Sequence, residues 1–319
     1  MISCTEFIPL YSEFFTFMEE KGGHDAVVRY WEYLSDTGIG DLTNPNSLAS
    51  FMTRYNGNLD GANAYWGHTL SEEAADSTSL YDREKQIVVG HMLRCPSKMM
   101  LLNLKHITPY YDYCGHCKVL YARVLEKFGF DYIRDHSKVD HAECSDYICP
   151  HGYEMKPEDF LPGPGKVYHE DHSSGNKYLH RDFHLIGDNA LRYCGMKYGD
   201  NGVKEFVAYF TRHHYSPVIE DVKKRGLAAI EDKLKQIYEV EEASDLLHTE
   251  LTDDSLTVTV DHSPAIAYMH TLGQEPSPYY VEETRTVYET LANETGYGFR
   301  LEYYREDGGT KFTFFNRGF

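Results

Sequence analysis

Tryptophan is nearly missing from this 319-residue chain, with 2 residues against 27 tyrosines and 16 phenylalanines. Positive charge is short as well: 31 Lys and Arg face 50 Asp and Glu, a formal net charge of −19. A surface of that sign repels a phosphate backbone and an anionic membrane, so neither nucleic acid nor a membrane is an expected partner. No apolar run approaches the roughly 18 residues a spanning helix needs. The opening MISCTEFIPLYSEFF has no basic stretch and no long apolar one, so no secretory signal is read there. Seven cysteines are an odd number, unsuited to a closed disulfide framework. Reduced thiols in a cytoplasmic protein are the expectation.

What is present is a globular composition, 41% apolar. The many tyrosines suit half-buried strand faces and pocket walls ending in a polar tip. The elements read as α+β, written twice. In the first half, helices over about Glu6–Leu34, interrupted at Gly22 and Gly23, and over Ser47–Ala75 precede a strand ending at Cys95-Pro96. A helix near Lys118–Phe128, a stop at Gly129 and a hairpin follow. In the second half, helices, one of them broken at Gly199, precede a strand ending at Ser263-Pro264, then a helix and a hairpin turning at Asp307–Gly308. Pro96 and Pro264 lie 168 positions apart, as do Val119 and Val287; Gly129 and Gly298 lie 169 apart. The expected fold is two tandem copies of an antiparallel sheet packed with helices. The first copy covers residues 1–148 and the second, degenerate copy covers 183–319. A Pro/Gly/His-rich linker, 149–182, joins them.

The stretch YYDYCGHCK carries the chemistry. Cys114 and Cys117 sit three apart at the opening of a helix, where the positive end of the dipole favours thiolates. His116 between them strengthens that effect as an imidazolium. Cys95 ends the preceding strand with His91 four residues before it, and His141 and Cys144 lie in the following hairpin. Three chemistries compete with simple packing of inert thiols. One is disulfide exchange by Cys114 and Cys117, with MMLLNLKHI as a candidate preceding strand. One is Zn²⁺ held by Cys114, Cys117, His141 and Cys144. One is a cysteine nucleophile with His116, His91 or His141 as base. Cys95, Cys114, His116 and Cys117 are the expected catalytic groups, with Tyr110, Tyr111, Tyr113 and His91 as pocket walls. His169 and His172, and His180 and His184, are a further pair of pairs at metal-binding spacing. The second half lacks the thiols and carries Tyr279, Tyr280, Glu282 and Glu283 in that region.

The pieces LRCPS, YCGHCKVLYARVLEKFGF and HAECSDYI, with DHSPA, VYETLANETGYGF and GTKFTFFNR in the second half, resemble the aminothiazoline-carboxylate hydrolase-like family, and more distantly the vinyl-reductase-type ligand-binding domains. The resemblance implies an α+β domain that encloses a small molecule, and hydrolytic ring opening of a small heterocyclic amino acid. Ser263 departs from its Cys-Pro pattern. The expected function is that of a hydrolase or lyase of a small organic substrate. A non-catalytic sensor or carrier domain and a thiol–disulfide oxidoreductase are the alternatives, and a homo-oligomer stays open.

Overall fold

Glycine sets the first break in the chain. In the computed structural model, which describes residues 2–317, helix α1 (Phe7–Gly22) ends beside Gly23, whose φ of 69° no side chain tolerates easily. Helix α2 (His24–Leu34) starts there and buries Val27, Tyr30, Trp31 and Leu34 along one stripe. Helix α3 (Leu48–Arg54) is capped by Ser47, whose Oγ accepts from the Ser50 amide at 3.0 Å. Helix α4 (Leu59–Glu72) is capped in the same way by Asn58.

The sheet elements follow as strands β1 (Asp76–Asp82) and β2 (Ile87–Arg94), helices α5 (Pro96–Asn103) and α6 (Gly115–Glu126), and strands β3 (Phe130–Asp135), β4 (Cys144–Pro150) and β5 (Lys166–His172). They form an antiparallel sheet ordered β3-β4-β2-β1-β5. MMLLNLKHI is therefore not a strand. Cys95 accepts from the Lys98 amide and Pro96 opens α5, so the chain turns helical at once. The expected linker 149–182 supplies a strand to this sheet: β5 pairs with β1 along its whole length, from Asp76↔His172 to Asp82↔Lys166. Buried Asp159 pins the approach to β5. It accepts from Lys85 Nζ at 2.8 Å, the Lys156 amide at 2.9 Å and Tyr153 Oη at 3.0 Å.

The second set comprises helices α7 (Asp182–His214), α8 (Ser216–Arg225) and α9 (Leu227–Val240), strands β6 (Leu247–Leu251) and β7 (Ser255–Val260), helices α10 (Pro264–Thr271) and α11 (Tyr280–Thr295), and strands β8 (Tyr297–Tyr304) and β9 (Thr310–Asn316). Gly199, at φ 68°, breaks α7 where the sequence places a break. The sheet is antiparallel, ordered β6-β7-β9-β8. Leu256, Val258 and Val260 alternate inward on β7, and Tyr288 of α11 stacks on Phe312 of β9 at 4.5 Å. The chain is thus α+β, with eleven helices and two antiparallel sheets among the described residues.

Two compact units contain these elements. The five-stranded unit comprises residues 18–104 and 109–180; the four-stranded unit comprises residues 2–17, 105–108 and 181–317. Sequence order suggests a boundary after residue 148, but the amino-terminal segment belongs with the carboxy-terminal half. The reason lies in packing: Phe7 stacks on Phe183 at 4.5 Å, and Phe14 meets Phe206 at 4.6 Å. None of the described helices is long and apolar enough to cross a membrane.

Candidate functional site

The start of α6 is built for tight backbone approach. A Cβ on Gly115 would lie 2.6 Å from the Asp112 carboxylate, so a side chain at this position would make that carboxylate move. Cys114 is the cap residue, and Cys117 lies in the first turn, where amide groups and the helix dipole favour negative charge. His116 Nδ1 hydrogen-bonds the Tyr113 carbonyl. That bond assigns the proton to Nδ1 and leaves the Nε2 lone pair facing Cys117 Sγ at 3.3 Å. Tyr113 packs edge-on against the imidazole, with ring centroids 4.8 Å apart.

A guanidinium reaches the same thiols from β3. The Arg134 side chain is only 9% exposed. Its Nη1 donates to Tyr132 Oη at 2.6 Å and its Nη2 to Cys144 Sγ at 2.8 Å. Asp146, its cross-strand partner on β4, lies 3.8 Å away. Gly90 makes room for that carboxylate, since a Cβ there would stand 2.8 Å from Asp146 Oδ2. Asp146 is held above the usual carboxylate range by burial, tempered by Arg134.

The four thiols differ sharply in acidity. Burial opposes ionisation of Cys117, but the His116 imidazole and Arg134 overcome it and lower its pKa to about 7. Burial pushes Cys114 up to about 12, with the nearby Cys117 charge adding to it. Cys144 rises to about 11 through burial, with Arg134 pulling the other way. Cys95 is also pushed up by burial. Cys117 is therefore the one activated sulfur of the four, and it is partly exposed.

Two further features complete the site. Glu73, at the end of α4, has its carboxyl raised by burial, with His116 among the charges acting on it; Ser97 Oγ donates to it at 3.4 Å. Trp66, Tyr121 and Tyr132 form a mutual cluster, with Tyr121 5.2 and 5.6 Å from the other two centroids and those two 6.4 Å apart. Burial holds the Tyr113, Tyr121 and Tyr132 hydroxyls protonated, and the Cys117 charge acts on all three.

The expected residues are sorted by this geometry. Cys95, Tyr113, Cys114, His116, Cys117 and Cys144 come together. His91 is exposed and its Nδ1 lies 2.8 Å from Ser145 Oγ. Tyr110 is buried, with its hydroxyl 3.0 Å from His24 Nδ1, and Tyr111 is 70% exposed. His141 is exposed on the turn before β4. The set Cys114, Cys117, His141 and Cys144 does not gather at ligand distance. Among the described residues, the Cys/His/acid group whose donor atoms lie within 4.8 Å of one another is Cys4, His184 and Glu241. His169 and His172 are exposed on β5, and His180 and His184 part company: His180 Nδ1 lies 2.8 Å from Glu72, while His184 faces Glu241.

Sequence reasoning passed over Glu73, Tyr121, Tyr132, Arg134 and Asp146. One signal was available. Phe130, Tyr132 and Arg134 share a face of β3 by period-two alternation, and a cation on an otherwise aromatic face asks for a partner. Comparison with family models, with curated proteins and with solved structures finds no match to this chain.

Proposed function

We propose that the protein is a thiol-dependent hydrolase or lyase of a small organic molecule, with Cys117 as nucleophile. The observation that carries this reading is the Cys117–His116 pair: a partly exposed sulfur 3.3 Å from an imidazole nitrogen whose other nitrogen is committed to a backbone carbonyl. Arg134 adds a fixed positive charge, and the Trp66, Tyr121 and Tyr132 rings suit a flat or apolar ligand.

In this reading the Cys117 thiolate adds to an electrophilic carbon of the substrate and forms a C–S bond. In this proposal Glu73, whose carboxyl burial raises, is the acid that gives a proton to the departing nitrogen or sulfur as its bond to carbon breaks. For hydrolysis, water then attacks the same carbon, His116 Nε2 takes its proton, the C–S bond breaks to release product and thiolate, and the proton on His116 returns to Glu73 through solvent, restoring both groups. A small heterocyclic amino acid, the substrate class implied by the family resemblance, has the ring C–N or C–S bond this sequence requires.

We also infer that the two units descend from one repeated module, with the working site in the first copy. The strand orders β3-β4-β2-β1 and β8-β9-β7-β6 correspond once β5 is set aside. Cys95 and Ser263 both cap a helix opened by proline, and their amides donate to Ala142 and Asp307 carbonyls at 2.7 and 2.9 Å. Glu73 and Glu241 both end a helix and precede a left-handed residue, Ala74 or Glu242. Gly298 lies inside β8, so in this reading the counterpart of Gly129 is Gly296, the left-handed glycine before the strand; counted back from that pair, His116 and Cys117 correspond to Glu283 and Thr284. The second copy thus keeps the frame and lacks the nucleophile and its base.

Site-resolved alkylation by iodoacetamide across pH tests the assignment. Cys117 should react first, with a midpoint near pH 7, and Cys117→Ser should abolish turnover of any substrate found. A Cys117 midpoint no lower than that of an ordinary thiol, about 8.5, would sink the reading.

A further inference from the structure

The core of the four-stranded unit holds three metal-ligating side chains with no part in the chemistry above. Cys4 lies in a short turn of 3-10 helix, Cys4–Glu6; His184 is in the first turn of α7; Glu241 ends α9. They are 1%, 5% and 2% exposed, and their donor atoms lie within 4.8 Å of one another. His184 Nε2 and Glu241 Oε2 are 3.0 Å apart. The other Glu241 oxygen accepts from the Cys4 amide at 2.6 Å.

A nucleophile relay does not fit this trio. The sulfur is sealed from solvent, and burial together with the Glu241 carboxylate pushes its thiol up, away from ionisation. His184 Nε2 is turned to the carboxylate. What the three share is convergence on one point. Bonds of about 2.0–2.3 Å to a tetrahedral cation place donors roughly 3.3–3.7 Å apart. The observed spacing reaches that geometry with small side-chain shifts. A thiolate and a carboxylate supply two negative charges, which a dication neutralises in a place where water cannot. Thiolate, imidazole and carboxylate together suit a borderline-soft ion.

We propose that Cys4 Sγ, His184 Nε2 and Glu241 bind one Zn²⁺-class cation, fastening the amino-terminal turn to α7 and α9. Binding releases the Cys4 proton, and the proton shared by His184 and Glu241, to solvent. The ion is structural in this proposal, which stands independently of the Cys117 reading.

Cobalt(II) titration of the metal-stripped full chain tests it. One equivalent should bind with a sulfur-to-metal charge-transfer band. The band should persist in Cys117→Ser and vanish in Cys4→Ser. Glu241→Gln keeps the acceptor for the Cys4 amide and the shape of the side chain, and should weaken binding at least about tenfold. Chelation should lower the melting temperature of the metal-loaded wild type. Absence of the band in the wild type, its survival in Cys4→Ser, its loss in Cys117→Ser, or unchanged affinity in Glu241→Gln would each overturn the site. Thiol alkylation of Cys117 reads the other proposal and is unaffected by these outcomes.

Discussion

Cys117 owes its acidity to neighbours that arrive from different parts of the chain. His116 is adjacent in sequence, so the pair could be read from CGHC alone. Arg134 could not, because a hairpin brings it in from 17 residues away, together with Asp146, whose charge opposes the acidity. Arg134 is the informative one. Its guanidinium is nearly buried and is held by its bonds to Tyr132 and Cys144, while it acts on Cys117 as charge. Arg134→Met removes that charge and keeps most of the bulk. The Cys117 alkylation midpoint should move upward by a measurable fraction of a pH unit or more, and the rate at neutral pH should fall. An unmoved midpoint would assign the acidity to His116 and the helix end alone. The reversed order of the two motif cysteines also bears on function. Cys114, nearer the helix start, is the sulfur an exchange reaction would activate, yet burial pushes it up to about 12. That order counts against the disulfide-exchange reading.

At the scale of elements, the legible parts of the sequence were those with a strong period or a strong stop. The Gly22-Gly23 and Gly199 breaks, the α6 and α9 stripes and the closing hairpin belong here. Strand β1, DSTSLYD, was not legible, because four of its seven residues are only half-buried and polar. Strand β5 was hidden for a similar reason: KVYHEDH shows no apolar alternation, since most of it is exposed at the sheet edge. Its place in the fold is fixed by backbone pairing to β1 and by buried Asp159, neither of which leaves a periodic mark. Lys85 and two further donors hold the Asp159 carboxyl below its ordinary range despite burial. A depressed carboxyl contributes stability above its unfolded pKa and loses it as pH falls through the folded value. Asp159→Asn should therefore destabilise the chain by about 1.5–3 kcal/mol near neutral pH, as expected for hydrogen bonds to a charged group. The difference from wild type should shrink in acid, where wild type loses the same charge. Equal melting temperatures at neutral pH would show that β1 pairing alone secures the edge.

For the whole molecule, the partly buried Glu73 and Asp146 and the buried Glu283 have carboxyls raised chiefly by desolvation. A raised carboxyl stabilises the fold below its unfolded pKa, and that contribution is lost as pH rises through the folded value. Glu283 isolates the effect, because it lies in the four-stranded unit, away from Cys117 in sequence and unit: it accepts from the Ile2 amide at 3.1 Å and from Thr284 Oγ1 at 3.4 Å. Glu283→Gln keeps an acceptor and removes the ionisation. The variant should melt above wild type at ~pH 8 and converge with it near ~pH 4. A variant less stable than wild type across that range would mean that the carboxylate is favourably held. This balance, like the tenure of residues 2–17 in the four-stranded unit, was closed to sequence reading because its contacts span up to 281 positions.

That long-range tenure bears on synthesis. Residues 2–17 leave the ribosome well before their partners on α7, Phe183 and Phe206, which are made more than 160 residues later. At about 5–20 residues per second, the interval is roughly 10–30 s. During it, Phe7, Tyr11 and Phe14 have no native core to enter, whereas most of the five-stranded unit emerges complete behind them. The nascent chain therefore carries an aromatic helix without its native partners until α7 has been made.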